Sequence, residues 1–173
     1  MLRMLVDKHE WIDYSLYISK IEGIAKKRDE QKRGFKSSKL WTANKSTHYY
    51  GTCGEMVVSL QTGLEIDEKL RINGDPGFDF VYNGNCYDVK AATFYRSPDI
   101  KEFLDKKLVA DFYILVGLNS YKNLGYIAGW CSKQQLLNAD TRDYGNGQMR
   151  SISYRFLART NQLGLPVELK RKE

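Results

Sequence analysis

The sequence predicts a mixed α/β (α+β) domain, a mixed central sheet with helices on its faces. Three observations carry this. Residues 109–118 (VADFYILVGL) form a near-continuous apolar run of strand length, rich in β-branched and aromatic side chains, as a strand buried on both faces requires. Asn83-Gly84 stands between two short runs rich in Phe, Tyr and Val, which is the pattern of a two-residue type I′ hairpin. Apolar residues at helical spacing recur from Trp11 through Tyr14, Tyr17, Ile18 and Ile21 to Ile24.

In chain order, that spacing predicts an amphipathic helix over about residues 7–31. A second, short helix is expected from Thr52 (TCGEMVVSLQTG), with Met56, Val57 and Leu60 on its apolar side and Gly63 as its stop. The hairpin around Asn83-Gly84 follows. Ser97-Pro98-Asp99 has the form of a helix start, with Ser as N-cap and Pro at the first position, so a helix is expected to about Leu108. Its Lys101, Lys106, Lys107, Glu102 and Asp105 would form a solvated face. The 109–118 strand is followed by another at 124–130 (LGYIAGW). Ser132 and Gln135 stand in capping-box register before a short helix. Residues 141–148 read as a polar loop and 151–158 (SISYRFLA) as a last strand. The organisation expected is one domain over 1–173: an N-terminal helix and basic segment (1–48), a core (49–138) and a C-terminal extension (139–173).

The chain has 173 residues, enough to bury a core. Its 42% hydrophobic and 28% charged content is that of a globular chain. No apolar run reaches the roughly 18–20 residues that span a bilayer, and the first residues lack the apolar stretch of a signal peptide. The expected location is cytoplasmic, with no membrane partner. Three widely spaced cysteines argue against a disulfide framework or zinc ribbon, and two separated histidines against a His-based metal centre. The net charge of +6 favours polyanionic partners. From Lys26 to Lys39 seven basic residues face two acidic ones, with Phe35 inside and Trp41, Tyr49 and Tyr50 after. Lys32, Arg33, Lys36 and Lys39, with Arg96 further on, are candidate phosphate contacts; the same segment also reads as a solvated helix end and loop.

The chemistry concentrates at DPGFDFVYNGNCYDVKAA, residues 75–92. With Asn83-Gly84 as the loop, Asp79 falls opposite Asp88. Alternation then puts Asp79, Val81, Cys86, Asp88 and Lys90 on one face, and Phe78, Phe80, Tyr82, Tyr87, Val89 and Ala91 on the other, core face. A three-residue turn over 83–85 would offset the two acids by one. Opposed like charges destabilise a hairpin. A divalent cation with hard oxygen ligands offsets that, and Mg²⁺ suits one or two carboxylates plus waters and phosphate oxygens. Lys90 alone could offset part of it, in which case the hairpin is a surface element with a solvated face.

These residues resemble the PD-(D/E)xK nuclease superfamily, which has the restriction-endonuclease-like fold. The match runs over Asp75-Pro76-Gly77-Phe78-Asp79, then Asp88-Val89-Lys90, with Gly54-Glu55 upstream, across roughly 49–130. It looks most like the small single-domain nucleases and resolvase-like enzymes, several of them viral. The resemblance implies a helix carrying Glu55, a strand carrying Asp79, a strand carrying Asp88 and Lys90, then a helix and further strands. It implies Mg²⁺ (Mn²⁺ as substitute) held by Asp79, Asp88 and Glu55, with the Val89 carbonyl as a further ligand. Lys90 would orient or deprotonate the attacking water, or stabilise the transition state. The substrate would be DNA, cut endonucleolytically, in some members by a homodimer. Asp75 competes with Asp79 for the first acid, but Asp79 shares a face with Asp88 and Lys90, and Asp75 suits a turn with Pro76-Gly77. Glu55 also fits a capping box with Thr52. Two other classes stay open: a non-catalytic nucleic-acid-binding module of the same fold, and an interaction domain with an incidental DxK hairpin.

Overall fold

The structure, a computed structural model, describes residues 10–33, 47–68, 76–93, 95–145, 147–159 and 162–165, without the side chains of 31–33. Within these residues the chain is a mixed α/β assembly of three layers. The middle layer is a five-stranded sheet of β1 (Ile12–Asp13), β2 (Phe80–Tyr82), β3 (Asn85–Ala92), β5 (Phe112–Asn119) and β6 (Leu124–Ser132), in the order β1-β6-β5-β3-β2. Only the β3–β5 pair is parallel; its neighbours are antiparallel. A second sheet, β4 (Asp99–Phe103), β8 (Gln148–Ser153) and β7 (Thr141–Asp143), is antiparallel throughout. The helices are α1 (Ile18–Arg33), α2 (Thr47–Thr62) and α3 (Lys133–Leu137).

Strand β5 is buried on both faces, as its apolar run requires. Ile114, Val116 and Leu118 face α1 and α2 in the larger core, with Tyr87 and Val89 of β3 and Ile21, Val57 and Cys53 from the helices. Tyr113 and Leu115 face the second sheet, in a smaller cluster with Ile100, Leu108, Cys131 and Leu136. Asn83 and Gly84 have φ of 49° and 78°, and the hairpin register Phe80↔Tyr87, Val81↔Cys86, Tyr82↔Asn85 is the one the Asn-Gly turn predicts. The capping box forms at α3, with Ser132 accepting from Gln135 N–H and the Gln135 side chain from Ser132 N–H.

Four expectations are corrected. The first helix begins at Ile18 rather than near residue 7. Ile12–Asp13 instead extends the edge of β6, and Asp13 Oδ1 accepts from Ser15 N–H in a local turn that stops the strand. The second helix begins at Thr47, so Glu55 lies mid-helix, where a capping-box role is impossible. Residues 99–103 are a strand, not a helix: pairing with β8 over Asp99↔Ser153 to Phe103↔Met149 overrides the N-cap signal. Residues 141–143, within the expected 141–148 loop, are a strand that pairs with 148–153, and the strand expected over 151–158 instead begins at Gln148 and ends at Ser153. The 139–173 stretch therefore supplies two of the three strands in the sheet that carries β4.

Candidate active site

The site sits where β2 and β3 part. The ladder between them stops at Phe80↔Tyr87, so Asp79 is not paired opposite Asp88 as the unbroken register implied. Asp79 N–H donates to the Tyr87 carbonyl at 2.7 Å. Its carboxylate Oδ2 accepts from Val89 N–H at 2.6 Å, taking the donor that a longer β2 would have used. The Asp79 side chain thus ends the strand and is held at the open edge of β3. The same departure carries Phe78 away from the larger core into the smaller cluster, where alternation had put it with Phe80 and Tyr82.

Asp88 and Lys90 project from the face of β3 that looks toward the second sheet. Asp88 is 8% exposed. Lys90 Nζ lies 2.9 Å from Asp88 Oδ2 and 2.6 Å from Glu102 Oε2, and Lys106 Nζ lies 3.1 Å from the same Glu102 oxygen. The Lys90 ammonium also stands 5.9 Å from the Tyr113 ring centre. Glu102 is buried because β4 alternates, with Ile100 and Glu102 inward and Lys101 and Phe103 outward.

Glu55 enters from the helix layer. α2 lies close on β3 because residue 54 is glycine: a Cβ there would meet Ala91 Cβ at 3.0 Å and Val89 Cγ1 at 3.2 Å. Glu55 is itself buried, and Arg28 of α1 grips it, Nη1 to Oε1 at 2.5 Å and Nη2 to Oε2 at 2.8 Å. Arg28 Nη1 also donates to Thr52 Oγ1, and Nη2 to the Asp67 carbonyl.

The electrostatics follow from this crowding. Burial first, then the charges of Glu55 and Asp88, push the Asp79 carboxyl well above the usual range; the Val89 N–H and Arg28 offset only part of it. Burial also raises Asp88, against the pull of Lys90. Burial works against the Lys90 ammonium, but Asp88 and Glu102 outweigh it and raise its pKa. Burial likewise opposes the Glu102 carboxylate, yet Lys90 and Lys106 bring its pKa below the ordinary value. Burial and Asp88 raise Tyr113 to about 12.

Asp79, Asp88, Lys90 and Glu55 are therefore brought together, and Val89 joins them through its N–H. Arg96 is exposed on the turn after β3. Lys32 and Arg33 lie at the end of α1, and their side chains, like Lys36, Lys39 and Asp75, fall outside the described residues. Two site residues were not anticipated. In the sequence Arg28 is one of a run of basic residues, and Glu102 falls on the solvated face of the helix expected there. The alternation of Ile100 and Glu102 against Lys101 and Phe103 was the available signal for the second.

Among the described residues no group of three His, Cys, Asp or Glu side chains is gathered as around a metal ion. The donor set is a carboxylate pair. Asp79 commits Oδ2 to Val89 and Asp88 commits Oδ2 to Lys90, which leaves an Oδ1 on each. Glu55 has both oxygens engaged by Arg28. No helix among the described residues is long and apolar enough to cross a membrane. No protein-family model matches the chain, and neither the curated proteins nor the solved structures give a match.

Proposed function

We propose that this chain is a Mg²⁺-dependent nuclease that hydrolyses phosphodiester bonds of DNA, acting as an endonuclease. The observation that carries the reading is the half-buried Asp79 carboxylate, held by the Val89 N–H at the open edge of β3 where the charges of Glu55 and Asp88 act on it. Acids crowded enough to raise one another's pKa cost stability and are a recurrent mark of functional sites. A carboxylate pair with two spare oxygens fits Mg²⁺, which is usually held by one or two carboxylates and completed by waters and phosphate. Asp79 and Asp88 would hold the ion, and Mn²⁺ would substitute. When bound, the ion supplies Lewis acidity toward the phosphate and makes water more acidic. Lys90 brings a positive charge to the edge of the same site, where charge on phosphorus develops. Glu55, fixed by Arg28, adds to the field on Asp79.

A restriction-endonuclease-like fold belongs to this proposal. The order of Glu-bearing helix, Asp-bearing strand and DxK strand supports it; strand β4, where a helix was expected after the DxK strand, departs from it. DNA is the partner that the net charge of +6 and the exposed Arg96 favour.

The test is cleavage of labelled duplex, single-stranded, flap and four-way-junction DNA by purified protein with Mg²⁺ or Mn²⁺. Cleavage should disappear in EDTA and fall steeply, to a measurable residue, in Asp88→Ala and Lys90→Ala variants. Variants that cut as well as the parent would sink the site assignment. Calorimetric Mg²⁺ binding without cleavage of any substrate would instead favour a nucleic-acid-binding module that does no chemistry.

A further inference from the structure

We propose that Glu102 of β4 is the positioning residue for Lys90, holding its ammonium in place at the site together with Asp88. The role in catalysis rests on the nuclease reading; the hold itself rests on geometry. A lysine ammonium rides on a flexible four-carbon stem and needs partners to define where it sits. Lys90 has two, Glu102 at 2.6 Å and Asp88 at 2.9 Å, and the shorter contact is to Glu102.

Under the proposed chemistry Asp88 divides its carboxylate, Oδ2 to Lys90 and Oδ1 to the metal ion. Glu102 comes from the other sheet and has no such second duty. Its place is also unusual for an acid. On the inward face of β4 its neighbour is Ile100, fully buried in the smaller apolar cluster. A carboxylate there is costly unless cations meet it. Lys90 meets it from β3, and Lys106, four residues on, meets it from the solvent side. Arg150, directly across the β4–β8 ladder from Glu102, instead donates to the carbonyls of Phe103 and Leu104. Besides the apolar packing of Ile100 near Cys86 and Ala92, the second sheet thus sends a charged side chain to the DxK strand, and that side chain ends on the lysine.

The experiment uses the full chain and compares wild type, Glu102→Gln, Lys90→Ala and the double variant. Two readouts are taken: cleavage kinetics with Mg²⁺, and the ¹H–¹⁵N correlation of lysine ammonium groups, with the Lys90 signal assigned by its loss in Lys90→Ala. In Glu102→Gln we expect kcat to fall about tenfold or more, the scale of losing a residue that orients a working group, with KM within about twofold. On the Lys90→Ala background the same change should cost nothing further. The Lys90 ammonium signal should shift or vanish while the backbone amide spectrum is kept. A Glu102→Gln variant with wild-type kcat, a loss that multiplies with that of Lys90→Ala, or an unmoved ammonium signal overturns the proposal. If Glu102→Gln does not fold, Glu102→Asp, which withdraws the carboxylate by one methylene, is read by the same criteria. A wild type that cleaves no DNA overturns the nuclease reading instead, and the ammonium signal then decides the hold alone.

Discussion

Arg28 of α1 and Glu55 of α2 form a two-pronged ion pair at 2.5 and 2.8 Å, with the Glu55 side chain 5% exposed and that of Arg28 25%. The pair joins the two helices at the edge of the candidate active site and removes most of the solvent from a carboxylate that acts on Asp79. Arg28→Met should strand the buried Glu55 charge and lower stability by about 3 kcal/mol in urea unfolding. Adding Glu55→Gln should recover a large part of that loss. An unchanged midpoint for Arg28→Met would mean that the pair is weak.

Two glycines of α2 should respond in opposite directions. Alanine in place of either gains up to about 1 kcal/mol of helix propensity. At Gly51 an added Cβ meets nothing within 4 Å, so Gly51→Ala should stabilise by about that amount. At Gly54 it would press on Ala91 Cβ at 3.0 Å, and overpacking costs typically about 1–3 kcal/mol. Gly54→Ala should be net destabilising in thermal unfolding, and should impair the site by lifting Glu55 from β3. Equal effects at the two positions would refute the close approach of α2 to β3.

Asp79 should be a site where stability is given up. Its raised carboxyl pKa means that, just above the ordinary carboxylate range, the folded chain still binds a proton that the unfolded chain has released. Stability from this group therefore falls as pH rises toward the folded value and stays low above it. In EDTA at about pH 8, Asp79→Asn should unfold later than wild type, with the gap closing in acid. Mg²⁺ at about 100 times its Kd should raise wild-type stability by about 2.7 kcal/mol and leave Asp79→Asn unmoved. Cleavage by Asp79→Asn should drop at least about 100-fold. A variant less stable than wild type at every pH would contradict this account.

Cys131 should be inert in the native protein. Burial beneath the smaller cluster raises its thiol to about 12, so the reactive thiolate is scarce below that pH. Thiol labelling at about pH 8 should modify half-buried Cys86 first, and reach Cys131 only with unfolding. Rapid native-state labelling of Cys131, mapped by mass spectrometry, would disprove its enclosure.

The sequence by itself determined the elements whose cause is local. The Asn83-Gly84 turn needs positive φ at both residues, so the hairpin register could be counted from it. The apolar run of β5 required burial on two faces, and Ser132 with Gln135 required a helix start. From that register Asp79, Asp88 and Lys90 could be named together. Only the tertiary structure decided the rest. Asp99–Phe103 carries a helix-start signal, and long-range pairing with β8 makes it a strand; that pairing alone turns Glu102 from a solvated face onto Lys90. Arg28 sits in a run of like charges, and nothing local separates the one that turns inward to Glu55. Asp79 leaves the ladder one residue before its expected partner, because its own carboxylate takes the Val89 N–H. Periodicity says which side chains share a face; which charges meet across layers depends on contacts between segments far apart in the chain.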